Sequence, residues 1–131
     1  MSLENFTKKI EESKKVVALD FDGVIHNDSK GFFDGTIYGN PIEGTEFALK
    51  YLSERYKLVI FSCKSNPERP LVENKTGTEL IWEWLEKWDF KKYVSDVVWG
   101  KPNALVYIDD KGLRFSNWSQ TLYDLNNIVN G

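Results

Sequence analysis

The sequence predicts an α/β domain in which a parallel sheet carries helices on both faces. Three observations predict it. Short continuous apolar runs, VVAL at 16–19 and LVIF at 58–61, have the character of strands buried on both sides. Segments with the apolar spacing of helices lie between and after such runs. Strand-like and helix-like segments alternate along the chain, an order whose right-handed crossovers give parallel strands. The length, 131 residues, suits one domain spanning 1–131.

Element by element, residues 3–14 space Leu3, Phe6 and Ile10 for one face of a short amphipathic helix. Val16 to Leu19 form the first strand. HNDSKGFFDGTIYGNP mixes Gly, Asn and Asp with Phe, Ile and Tyr, and reads as a flap over about residues 25–39 that turns at Asp34-Gly35. PIEGTEFALKYLSERY reads as a helix entered at Pro41, since proline suits a helix's first turn. KLVIFS is the second strand, and SNPERPLVENKTG a polar loop with two prolines. TELIWEWLEKWDF is the next helix, with Ile81, Leu85 and Trp88 on its core face. Trp84 and Trp88, four apart, read as core or, alternatively, as an exposed stacking platform. Short strands follow at SDVVW and ALVYID. The last helix, SNWSQTLYDLNNIVNG, spaces Trp118, Leu122, Leu125 and Val129 for one face.

Composition narrows the function classes. With 17 basic and 20 acidic residues the net charge is -3, which argues against a broad nucleic-acid or anionic-membrane footprint but not against a local basic groove. A single cysteine, Cys63, excludes an intramolecular disulfide and a multi-cysteine zinc site. No apolar run approaches membrane-spanning length, and MSLENFTKKIEESKK lacks a signal peptide's apolar region, so a cytoplasmic protein is expected.

In an open parallel sheet the ligand crevice lies outside the carboxyl ends of the strands. The first strand delivers Asp20 and Asp22, with Gly23 behind them. The second delivers Ser62, Cys63, Lys64 and Ser65. WGKP puts Lys101 after the third, and the fourth ends in Asp109 and Asp110, then Lys111. Singly, each has a plainer reading: an acidic turn, a strand-end cap, a solvated lysine, a helix N-cap. Together they bring four acids, a hydroxyl and lysines to one edge, which packing alone does not require. Four ionised acids need a cation, and oxygen donors without His or Cys favour Mg²⁺. A carboxylate nucleophile, a second carboxyl as proton shuttle, Mg²⁺, Lys and Ser describe phosphoryl transfer through an aspartyl phosphate. Cys63 reads as buried filler, and His26 as a surface residue of the flap that could alternatively touch a leaving group. Arg69, Arg114 and Lys30 are candidates for reading the substrate beyond its phosphate.

The series DFDGV, LVIFS, GKP and VYIDD resembles, in order and placement over residues 16–115, the four motifs of the haloacid dehalogenase superfamily of phosphohydrolases. The resemblance implies a single three-layer Rossmann-like domain. It also implies roles: Asp20 as nucleophile and Mg²⁺ ligand, Asp22 as acid and base with its main-chain carbonyl on the metal, and Ser62 and Lys101 on the phosphoryl oxygens. Asp110 would bind the metal directly, with Asp109 orienting Lys101 or a metal-bound water. An acid at Asp22 favours the phosphatases of that superfamily.

Two features depart from the pattern. Lys101 stands close before Asp109 where many relatives fit a helix, so Lys64 or Lys111 could share its role. The stretches between motifs hold one helix and one strand each, leaving no room for a cap domain. A capless member with an open site admits large substrates, and SCK with IDDKGLRF is similar to the phosphatase half of phage-type polynucleotide kinase-phosphatases. A nucleic-acid end or a nucleotide phosphate is thus one expected substrate. The alternatives are a phosphoacceptor signalling domain, disfavoured because the middle strand ends in Ser62 and not an aspartate, and an idle binding module of similar fold.

Overall fold

A computed structural model of the protein describes residues 15–31, 34–109 and 113–130. It is an α/β fold built on a parallel sheet. The strands are β1 (Val16–Asp20), β2 (Lys57–Phe61), β3 (Asp96–Val98), β4 (Val106–Asp109) and the short β5 (Leu113–Arg114), in the spatial order β3-β2-β1-β4-β5. Every pairing is parallel. The helices are α1 (Thr45–Ser53), α2 (Gly77–Lys87) and α3 (Trp118–Asn130). None of them is long and apolar enough to cross a membrane.

Alternation along the strands separates two faces. Val17, Leu19, Leu58, Ile60 and Ile108 face one core, which also takes the buried apolar side chains of all three helices, among them Leu49, Leu85 and Leu125. Ala18, Val59 and Phe61, on the opposite face, are buried as well but stand outside that core. Helices on both faces are the sequence expectation; the three described helices gather on one. The step from β1 to β2 to β3 moves in a single direction, which puts both right-handed crossovers on the same side. The crossover from β3 to β4, through residues 99–105, contains no helix. The helix expected over 3–14, the side chain of Val129 and the two phenylalanines at the tip of the flap lie outside the described residues.

Helix α1 begins at Thr45, not at Pro41. Pro41 bridges His26, and the Ile42 N–H donates to the Ile25 carbonyl at 2.8 Å, so these residues seat the end of the flap and helical bonding starts only at Gly44. Helix α2 begins one residue before the TEL run, because Thr76 and Glu79 form a reciprocal capping box. The flap makes the expected turn at Asp34, whose carboxylate accepts from the Thr36 N–H at 3.0 Å, but no strand ladder runs along its described residues.

The first residue of α2 lies against the turn that follows β2. A Cβ on Gly77 would fall on the main-chain carbonyl of Lys64, so only glycine lets the helix approach this closely. Gly77→Ala is expected to destabilise the fold by about 3 kcal/mol, the upper end for overpacking. Gly100→Ala, where a Cβ meets nothing within 4 Å, is expected to stay within about 0.5 kcal/mol. Urea-unfolding midpoints of the two variants check the contrast.

Candidate functional site

Parallel pairing brings the carboxyl ends of β3, β2, β1 and β4 to one edge. Asp20 closes β1 in register with Phe61, and Leu19 pairs with Ile108, so Asp109 emerges from β4 next to Asp20. Three concavities meet around these residues. One of about 240 Å³ is lined by Asp20, Asp22, Gly23 and Asp109. A second, of about 390 Å³, is lined by Asp20, Ser62, Lys101 and Asp109 among others. A third, of about 370 Å³, takes Asp22, Cys63, Lys64 and Arg69. Seven of the eight residues singled out in the sequence therefore converge: Asp20, Asp22, Ser62, Cys63, Lys64, Lys101 and Asp109. The eighth, Asp110, lies outside the described residues, as do Lys111 and the side chain of Arg114.

The turn after β1 is wound tightly. The Phe21 carbonyl accepts from the N–H groups of Ile25 and His26, each at 3.0 Å, and Gly23 takes a φ of 80° to complete the turn. Asp20 Oδ1 is fixed by the Phe21 N–H at 2.8 Å. Ser62 leaves β2 in extended conformation, and its hydroxyl oxygen accepts the Lys64 N–H at 3.1 Å, closing a short 3-10 turn over Cys63–Ser65. Lys101 reaches from the loop after β3 to Asp109, with Nζ 2.8 Å from Oδ2. The same ammonium stands 5.3 Å from the centre of the Tyr107 ring.

Asp22 is the most elaborately held side chain. Its Oδ2 accepts from the buried ammonium of Lys64, and its Oδ1 lies 2.9 Å from His26 Nδ1. His26 is fully buried, contrary to the expectation of a surface residue. Its ring stacks on Phe21 and is bordered edge-on by Tyr38 and Trp84. The Gly39 N–H donates to His26 Nε2 at 2.9 Å, so Nε2 carries a lone pair and the ring proton sits on Nδ1, donated to Asp22. Trp84 Nε1 in turn donates to the Gly39 carbonyl at 2.9 Å. A chain of hydrogen bonds thus runs from helix α2 through the end of the flap to Asp22. Burial pushes the Asp22 carboxyl up, but the hydrogen bonds from His26 and Lys64, with the Lys64 charge, outweigh it and hold the group below the usual carboxylate range.

Cys63 is exposed, not buried filler, because the 3-10 turn carries it to the outside. Trp84 is core, as one of the two readings had it. The sequence did not announce His26 as the partner of Asp22, nor Trp99 as a wall of the concavity of about 390 Å³ beside Asp20. A histidine four residues after Asp22, following apolar Val24 and Ile25, is a signal for the first. Trp99 follows β3 directly, at the same edge as the polar residues that follow the other strands.

Among the described residues no three His, Cys, Asp or Glu side chains form a group that could hold a metal unaided. The donors lining the smallest concavity are carboxylates, without imidazole or thiolate. That chemistry fits a hard cation that completes its shell with water or substrate oxygens.

Set against protein-family models, curated proteins and solved structures, the chain matches none.

Two outcomes are expected in metal-free buffer. Asp22 has a depressed folded-state pKa, so its contribution to stability is present above its unfolded value and is lost as pH falls through the folded one. The stability gap between wild type and Asp22→Asn should be on the order of 3 kcal/mol at neutral pH, where Lys64 loses a buried partner. Denaturant unfolding should find the gap narrowing below about pH 4. Nitrogen-15 shifts should assign the proton of His26 to Nδ1; a protonated Nε2 would contradict the Gly39 hydrogen bond.

Proposed function

We propose that this chain is a Mg²⁺-dependent phosphomonoester hydrolase working through an aspartyl phosphate on Asp20, as the resemblance to the haloacid dehalogenase superfamily implies. In this reading the domain is a small, capless, Rossmann-like member. The observation that carries the proposal is a juxtaposition. Asp20 ends the middle strand and Asp22 follows it into the same concavity, flanked by Ser62 after β2 on one side and by Asp109 of β4 on the other, the latter paired with Lys101 from the loop after β3.

A carboxylate oxygen of Asp20 attacks phosphorus, and the bond from phosphorus to the leaving oxygen breaks. Asp22 hands that oxygen a proton. In the second half Asp22 takes a proton from water, the water oxygen bonds to phosphorus, and the bond to Asp20 breaks, releasing inorganic phosphate. Donation from His26 and Lys64 favours the charged form of Asp22, which suits this second half; the proton that Asp22 gives in the first half is the one it took from water in the preceding turnover. Ser62 and Lys101 hold the phosphoryl oxygens, and Asp109 keeps the Lys101 ammonium in place. By the resemblance, Asp20, the main-chain carbonyl of Asp22 and Asp110 would hold Mg²⁺, which would supply the positive charge that lets an anionic nucleophile meet an anionic phosphate. The second phosphate-side lysine weighed in the sequence, Lys64, serves Asp22 in this arrangement. The open approach from three sides favours a large phosphorylated substrate, a nucleic-acid end or a nucleotide among them.

The test is phosphate release with and without Mg²⁺ from oligonucleotides, nucleotides, sugar phosphates and phosphopeptides. Asp20→Asn is expected to keep the fold, read by circular dichroism, and to lower turnover by about 10⁴-fold or more. Turnover that survives the substitution would reject Asp20 as the nucleophile.

A further inference from the structure

We propose that the cavity beside Asp20 receives a phosphomonoester whose leaving group carries a flat aromatic ring, and that the ring stacks on Trp99. The proposal rests on the phosphatase reading for one end of the cavity and on a separate observation for the other. The cavity, of about 390 Å³, is lined by Asp20, Ser62, Lys101 and Asp109, and also by Phe61 and Trp99. Sheet order gives these residues a direction. Asp109 ends β4, Asp20 ends β1, Phe61 ends β2, and Trp99 follows β3, so the cavity crosses four successive strand ends. The acids stand toward one side and the tryptophan toward the other. Two strand spacings separate β1 from β3, roughly 10 Å. That is the reach of a phosphate, a short linker and a ring.

Trp99 is the one mainly exposed tryptophan of the five, at 54%. A single exposed apolar side chain on a convex surface would need no explanation. Trp99 instead lines a concavity that holds the candidate nucleophile, with Phe61 beside it. Concave sites combine an apolar wall with a few convergent polar groups, and this one does so. The Lys101 ammonium, on the same loop, is turned toward Asp109 and the Phe61 and Tyr107 rings. The loop after β3 thus presents a charge to the phosphoryl end and an indole to the far end. Aromatic stacking tolerates any flat ring, so the shared chemistry is the ring, from a nucleobase or a phenol.

The experiment compares adenosine 5′-monophosphate, phosphotyrosine and ribose 5-phosphate as substrates of the full chain with Mg²⁺. Wild type is expected to have a KM about tenfold lower for a ring-bearing ester than for ribose 5-phosphate. Trp99→Ala should collapse that ratio to about one, and Trp99→Phe should restore most of it. Preference between the nucleotide and phosphotyrosine names the source of the ring. A second readout needs no turnover: in Asp20→Asn, adenosine 5′-monophosphate should quench an emission component that is absent from Asp20→Asn/Trp99→Phe. Equal KM values for all three esters, or a ratio untouched by Trp99→Ala, would overturn the proposal. If no ester is hydrolysed, the phosphatase reading fails, while quenching through Trp99 would still uphold the aromatic subsite and its absence would remove it.

Discussion

β1 lies in the middle of the sheet, and both of its ladders run parallel. A parallel ladder cannot be closed by a hairpin, so each neighbour of β1 has to start again from the opposite edge after a crossover. All the carboxyl ends consequently open on one side. Asp20, Ser62 and Asp109 are far apart in the chain and become neighbours for this reason alone. Burial of Val17, Ala18 and Leu19, each at 0% exposure, fixes the register of β1 against slippage. A one-residue slip would move Asp20 from the edge and exchange the two faces of the strand.

Upon that frame sits a polar network that ties the site together. Asp22 is joined to the turn after β2 through Lys64 and to the end of the flap through His26 and Gly39. The flap end is also pinned by Trp84 of α2. Three elements that share no ladder are therefore referred to one carboxylate. Because His26 and Lys64 are buried, these bonds act where solvent does not compete, and a missing partner would leave a buried polar group unsatisfied.

Much of this was legible in the chain. Four of the five strands were visible as short apolar runs, the two-residue β5 not among them, and the residues following the runs included most of those that converge at the edge. Errors fell where a residue's role depends on a partner distant in sequence. Pro41 looked like a helix start, but His26 and Ile25 claim that stretch for the flap. His26 looked like a surface residue, because nothing near it in sequence announces that Phe21, Tyr38 and Trp84 will enclose it. Cys63 looked like filler, since the 3-10 turn that exposes it depends on the Ser62 hydroxyl accepting the Lys64 N–H. The helices' gathering on one face followed from strand order, which local periodicity does not contain.

By itself the sequence determined four of the five strands, the three described helices and which chemistry stands at the strand ends, because backbone preference and apolar periodicity are local properties. Tertiary structure alone decided how that chemistry is paired: Lys64 with Asp22, Lys101 with Asp109, and a buried imidazole between the candidate acid and the flap. Side-chain partners of this kind are set by the relative placement of strands and loops that periodicity cannot encode. The same holds for Trp99, whose place in the wall of the cavity beside Asp20 comes from β3 lying two strands from β1.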